Sequence, residues 1–154
     1  MTIKVRMIPH IDDIQSGVSG IHSLVRKYFE HLPEYGIDLV GKKDDSFDLF
    51  AVHAGTAGKY PAGVPSVSHL HGLYFSADYP ALSWEWAANA SVIDSIRRSN
   101  EITVPSEWVA DVIRRDCRIS PTIIPHGIDW DEWQHSYPNG EYVLAYAKNR
   151  VMDV

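Results

Sequence analysis

Short β-branched runs that alternate with helix-period segments constrain this chain more than any other feature. The runs Ile3–Ile8, Ile37–Val40, Phe47–Val52, Ser66–Leu70, Glu101–Val104 and Thr122–Ile124 read as strands, bounded by Pro, Gly and polar residues. Between the first two, Ile21, Leu24, Val25, Tyr28, Phe29 and Leu32 recur at helical spacing and form one apolar stripe. Ser19 is placed to cap that helix, with Ser16 as the alternative, and Gly36 stands where a left-handed glycine ends one. The segment Ala81–Arg98 reads as a second helix and a Ser106-capped segment ending at Cys117 as a third, each with arginines near its end to suit the helix dipole. Strands separated by helices predict a doubly wound, mostly parallel α/β sheet.

Such a sheet collects ligands outside the carboxyl ends of its strands. One stretch supplies chemistry at such an end. Ser66–Leu70 delivers His71 and Gly72, and an aromatic, polar loop then runs to Pro80. His71, with a glycine turning the backbone behind it, reads as a general base or a sugar-hydroxyl ligand. Tyr74, Phe75 and Tyr79 lie in the loop and offer faces for a sugar ring, whereas Trp84 and Trp86 fall inside the helix and read as core or interface. His69 reads as a hydrogen-bonded strand histidine. His69 and His71 share a face and make a metal pair only if Asp78, His53 or His10 joins them; no spacing fixes that set, and no metal is assigned.

A second signal is S-G-V-S-G at 16–20, a glycine loop opening onto a helix start whose free N–H groups suit an anion. It lacks both the full dinucleotide fingerprint and the lysine of a P-loop, so a glycine turn before a capped helix remains an equal reading. No Ser-His-Asp or Cys-His set can be assigned. The single cysteine, Cys117, excludes an intrachain disulfide and fits a reducing compartment. With a formal net charge of −6 and no run of Lys or Arg longer than a pair, a dedicated nucleic-acid binder is disfavoured. No apolar stretch is long enough to span a bilayer, and the charged amino terminus is unlike a signal peptide, so the expectation is cytoplasmic.

Four motifs in order carry a family resemblance: S-G-V-S-G at 16–20, V-S-H-L-H-G at 67–72, V-P-S-E-W-V at 104–109 and I-I-P-H-G-I-D at 123–129. Together they resemble the amino-terminal half of a retaining glycosyltransferase of the GT-B class, family 4-like (group 1 type), whose members include sucrose synthases and many bacterial mannosyl- and glucosyltransferases. The segment Y-V-L-A-Y-A-K-N-R at 142–150 resembles the first strand of that family's nucleotide-binding half. The resemblance implies a Rossmann-like domain over 1–138, with 139–154 as linker and first strand of a second, absent domain. It implies transfer from a nucleotide-sugar co-substrate to an acceptor hydroxyl with retention, and no resident cofactor or metal.

Carried over residue by residue, Gly17, Ser19 and Gly20 lie at the donor phosphate, His71 at the reaction centre, and Tyr74, Phe75 and Tyr79 on the acceptor side. Ser106, Glu107, His126, Gly127 and Asp129 belong to the remaining motifs. Position 126 is His where the family usually has Asn, and Ser16 stands where a second glycine is frequent. The family's E-x7-E glutamates do not occur in these 154 residues, so the chain alone is expected to turn over little. The strand Tyr142–Ala147 decides between two organisations. Unpaired, it implies a partner domain in cis or trans and invites edge-strand or swapped dimers. Paired within the sheet, it favours a non-enzymatic sugar- or nucleotide-binding module or one subunit of a split enzyme. A metal-dependent hydrolase using His69 and His71 is the third reading.

Overall fold

The computed structural model describes residues 2–14, 19–56, 58–74 and 83–128. Six strands, β1 (Ile3–Ile8), β2 (Ile37–Val40), β3 (Leu49–His53), β4 (Ser66–His69), β5 (Glu101–Val104) and β6 (Thr122–Ile123), form one sheet in the order β2-β1-β3-β4-β5-β6. Every pairing is parallel. All carboxyl ends therefore share one edge, and the strand order reverses between β1 and β3. Three strands differ in their bounds from the sequence reading. The third strand starts at Leu49 and reaches His53, the fourth stops at His69, and the sixth at Ile123.

The helices are α1 (Gly20–His31), α2 (Ser83–Arg98) and α3 (Glu107–Cys117). Ser19 caps α1, its hydroxyl accepting from the His22 N–H at 3.3 Å, and Ser106 caps α3 by accepting from the Val109 N–H at 3.3 Å. The stripe packs through Ile21, Val25, Tyr28 and Leu32, but Phe29 is left exposed; at Leu32 the helix tightens into a 3-10 turn, Leu32–Tyr35, closed by Gly36 at φ 73°. Two cores follow from the two faces of the sheet. Val5, Met7 and Ala51 pack with Val25 of α1 on one face, whereas Leu70 and Val104 pack with Val92 of α2 and Val109, Ala110 and Ile113 of α3 on the other. That is a doubly wound, Rossmann-like arrangement. Burying a side chain such as Val52, Leu70 or Ile113 completely contributes about 1.5–3 kcal/mol each.

The inner face of α2 is built differently from the other helices. Its buried residues are Glu85, Asn89, Val92 and Ser95, so Trp84 and Trp86 point outward, 51% and 61% exposed, and are not core. Opposite α2, β4 presents the buried serines Ser66 and Ser68. Ser68 bonds Ser99 at 2.6 Å and the Tyr60 hydroxyl at 3.1 Å, and the Ser66 N–H and hydroxyl both donate to the Asn100 side-chain oxygen. Each buried hydroxyl thereby meets a partner, as burial requires. Arg98 is more than a solvated helix end: it pairs with Asp94, donates to the Gly58 carbonyl at 3.0 Å and lies over the Tyr60 ring.

Candidate functional site

Parallel strands in register bring their last residues side by side. His53 ends β3 and aligns with His69 at the end of β4, which aligns in turn with Thr103 on β5. With a two-residue side-chain period these three share the face covered by α1, and the Tyr28 ring of α1 lies 5.5 Å from that of His53. His71 stands just past β4, where Gly72 turns the chain at φ 111°. His126 comes from the loop after β6. Four imidazoles thus meet at the carboxyl edge, with ring centres 4.8 Å apart for His69 and His126, 5.2 Å for His69 with either His53 or His71, 5.4 Å for His71 and His126, and 5.6 Å for His53 and His71.

The contacts within this cluster are unequal. His69 Nδ1 bonds the Thr103 hydroxyl at 2.8 Å, while its Nε2 is buried with no hydrogen-bond partner among the described residues. The strand histidine expected from sequence is hydrogen-bonded at one nitrogen only. His53 Nδ1 approaches His71 Nε2 at 3.4 Å, beyond the usual range and so a weak constraint. Burial, with the neighbouring imidazoles adding to it, pushes His53 down to about 3 and His69 and His71 to about 4; burial also lowers His126. At neutral pH the cluster is uncharged and offers lone pairs.

This has a measurable consequence for stability. Unfolded histidines take up protons below about pH 6.5, whereas folded His53, His69 and His71 resist protonation until about 3 to 4. The unfolded state binds more protons in that window, so stability is full above the unfolded pKa and falls as pH drops from about 6.5 towards 4. Each group contributes a slope of at most about 1.4 kcal/mol per pH unit. Urea denaturation at stepped pH, with chelator present, is expected to show a midpoint falling through this window and a shallower fall in His53→Gln. A pH-independent midpoint would contradict the burial of these rings.

The other motif residues are distributed along the same edge. The Ser19 hydroxyl is engaged by its own helix, bonding the His22 ring as well as its N–H. At Gly20 an added Cβ would meet nothing within 4 Å, so the helix start is open. Tyr74 is anchored by its N–H donating to the buried Asn89 side-chain oxygen at 2.9 Å, and its ring meets Trp84 edge-on at 4.9 Å. Ser106 serves as a helix cap, and Glu107 makes a surface ion pair with Arg114 at 3.3 Å. Gly127 sits in the exposed loop beside His126. Gly17, Phe75, Tyr79, Asp129 and the strand expected at Tyr142–Ala147 lie outside the described residues. Cys117 is half-buried, its thiol pushed up by burial and by Asp116, which suits an inert residue.

Sequence reasoning missed the convergence itself. His53 was only one of three possible partners for the His69–His71 pair, Thr103 carried no motif, and His126 stood out only as a departure from the family's Asn. The available signal was positional: parallel strands in register set His53, His69 and Thr103 side by side near their carboxyl ends, each one strand spacing from the next.

An all-parallel, doubly wound sheet with a polar cluster at its carboxyl edge defines a Rossmann-like α/β domain. The chain matches Glycosyltransferase Family 4 over residues 5–132. It belongs to that family, as an amino-terminal glycosyltransferase domain. It is also similar to the uncharacterised protein YfbL of Escherichia coli (strain K12), at 28% identity over 152 residues, covering 84% of this chain and 46% of that protein. The chain thus spans about half the length of the curated relative it matches. No solved structure matches it. Among the described residues, no helix is long and apolar enough to cross a membrane.

Proposed function

We propose that this domain is the acceptor-side half of a retaining glycosyltransferase that moves a sugar from a nucleotide-sugar to an acceptor hydroxyl. The observation that carries the reading is the position of His71, at the carboxyl edge of the sheet inside the segment that matches the family. A neutral imidazole with a pKa near 4 is a poor general base at pH 7 and a good hydrogen-bond partner for a sugar hydroxyl. His71 therefore positions the transferred sugar, while the departing phosphate assists attack by the acceptor. The open α1 start at Gly20 suits the donor pyrophosphate, backbone N–H groups supplying what the engaged Ser19 hydroxyl does not. Tyr74, held by Asn89, lines the acceptor side together with Phe75 and Tyr79.

The residues that grip the nucleotide belong to a second domain, supplied in cis or in trans, and the nucleotide-sugar is co-substrate rather than resident cofactor. Exposed Trp84 near the start of α2 and Trp108 at the start of α3 flank the same edge and provide aromatic surface facing such a partner. The test pairs this chain with a nucleotide-binding half and offers a panel of nucleoside-diphosphate sugars and hydroxyl acceptors, with chelator present. The expected product keeps the donor's anomeric configuration by NMR and forms only when both halves are present. An inverted product, or no transfer from any donor, would overturn the proposal.

A further inference from the structure

We propose that His69, His71 and His126, with His53 beside them, form a binding site for a late first-row divalent metal ion of the zinc type. One ring nitrogen from each of the first three lies within 4.8 Å of the other two. Some point is then within about 2.8 Å of all three nitrogens. Zinc–imidazole bonds are about 2.0–2.1 Å, so ligation asks each ring to swing inward by about 0.7 Å. The rings are already spaced for it. Tetrahedral zinc holding imidazoles at that bond length places their centres about 5.2 Å apart, and the five measured separations run from 4.8 to 5.6 Å.

Two further observations point to a ligand rather than to a packed polar core. His69 Nε2 is buried without a partner among the described residues, a state that calls for an explanation, and a metal supplies one. Its other nitrogen is fixed by the Thr103 hydroxyl at 2.8 Å. Metal-ligating histidines are typically held in this way, since a bond at Nδ1 sets the tautomer that leaves the Nε2 lone pair free. Imidazole donors select zinc, copper or nickel over magnesium or calcium, which take oxygen ligands. Bound there, the ion ties the end of β4 to the loop after β6. Ion binding needs neither sugar nor nucleotide, but it shares His71 with the transfer reading, so a bound ion and a bound sugar compete for that imidazole.

The test uses the 154-residue chain, stripped with chelator and titrated with Co²⁺ and then Zn²⁺. One Co²⁺ per chain is expected, with the intense visible bands of a low-symmetry nitrogen site, displaced by Zn²⁺, and a raised Tm in the loaded protein. His126 lies on the exposed loop, so His126→Asn is expected to fold normally and to bind at least about tenfold more weakly. Thr103→Val is expected to lose roughly 10–100-fold in affinity and to shift the cobalt spectrum, which a merely structural threonine would not do. Absence of cobalt bands in the wild-type chain would overturn the site. Bands and affinity unchanged in His126→Asn and in His69→Gln would overturn it equally, placing the ion elsewhere. Failure here leaves transfer untouched, since that is measured with chelator present.

Discussion

Gly55→Ala is expected to destabilise the domain by on the order of 3 kcal/mol or more, enough to lower the folded-to-unfolded ratio by over a hundredfold. Gly55 follows β3 with φ at 116°, a conformation that L side chains rarely adopt. An alanine Cβ there would stand 2.8 Å from both Cα and N of Val92 and 2.9 Å from the carbonyl oxygen of Ser91. These are backbone atoms of α2, so no side chain can rotate away. Nor can the helix withdraw easily. Val92 is core, Asn89 holds the Tyr74 N–H, and the Ser95 hydroxyl accepts from the Thr56 N–H at 2.9 Å. Gly63→Ala is the control: φ is 75° there, but a Cβ would meet nothing within 4 Å. It carries only the left-handed backbone cost, about 1–2 kcal/mol. Urea denaturation of the two variants separates the effects, and equal losses would show that α2 does not press on the loop after β3.

The same helix shows where sequence was a good guide and where it failed. Both caps were legible, because Ser19 and Ser106 each stand immediately before a helix-period run, Ser19 nearer to it than the alternative Ser16. The parallel sheet was legible from the succession of strands, although no helix occurs between β2 and β3. Trp84 and Trp86 were not. Hydropathy directs a tryptophan inward, but α2 turns Glu85, Asn89 and Ser95 inward, where Asn89 accepts from the Tyr74 N–H and Ser95 from the Thr56 N–H. Small and hydrogen-bonded residues let the helix come close enough to touch Gly55, and the two large rings are left outside. The histidine cluster was illegible for another reason. His53 and His126 lie 73 positions apart in the chain, and only strand register and the β5–β6 pairing bring them to one edge.

In the enzyme with both halves present, His71→Ala is expected to cut the transfer rate by roughly 10²-fold or more, the usual loss when a preorganised hydrogen-bond partner is removed from a reacting centre. The fold should survive. His71 lies past the end of β4 and belongs to neither hydrophobic core; besides its ring contacts with the other three histidines, its one hydrogen bond among the described residues is the weak one with His53 at 3.4 Å. Far-UV circular dichroism and the urea midpoint are therefore expected to stay close to wild type. The loss should fall on kcat more than on KM, because the imidazole's hydrogen bond to the sugar strengthens as the bond to phosphate breaks. His71→Asn, which restores an amide donor near the position of Nδ1, is expected to recover part of the rate. Chelator in every assay keeps any ion bound at the cluster from masking the imidazole. Near-normal turnover by the alanine variant would remove His71 from the reaction centre and leave its place to another group on the same edge.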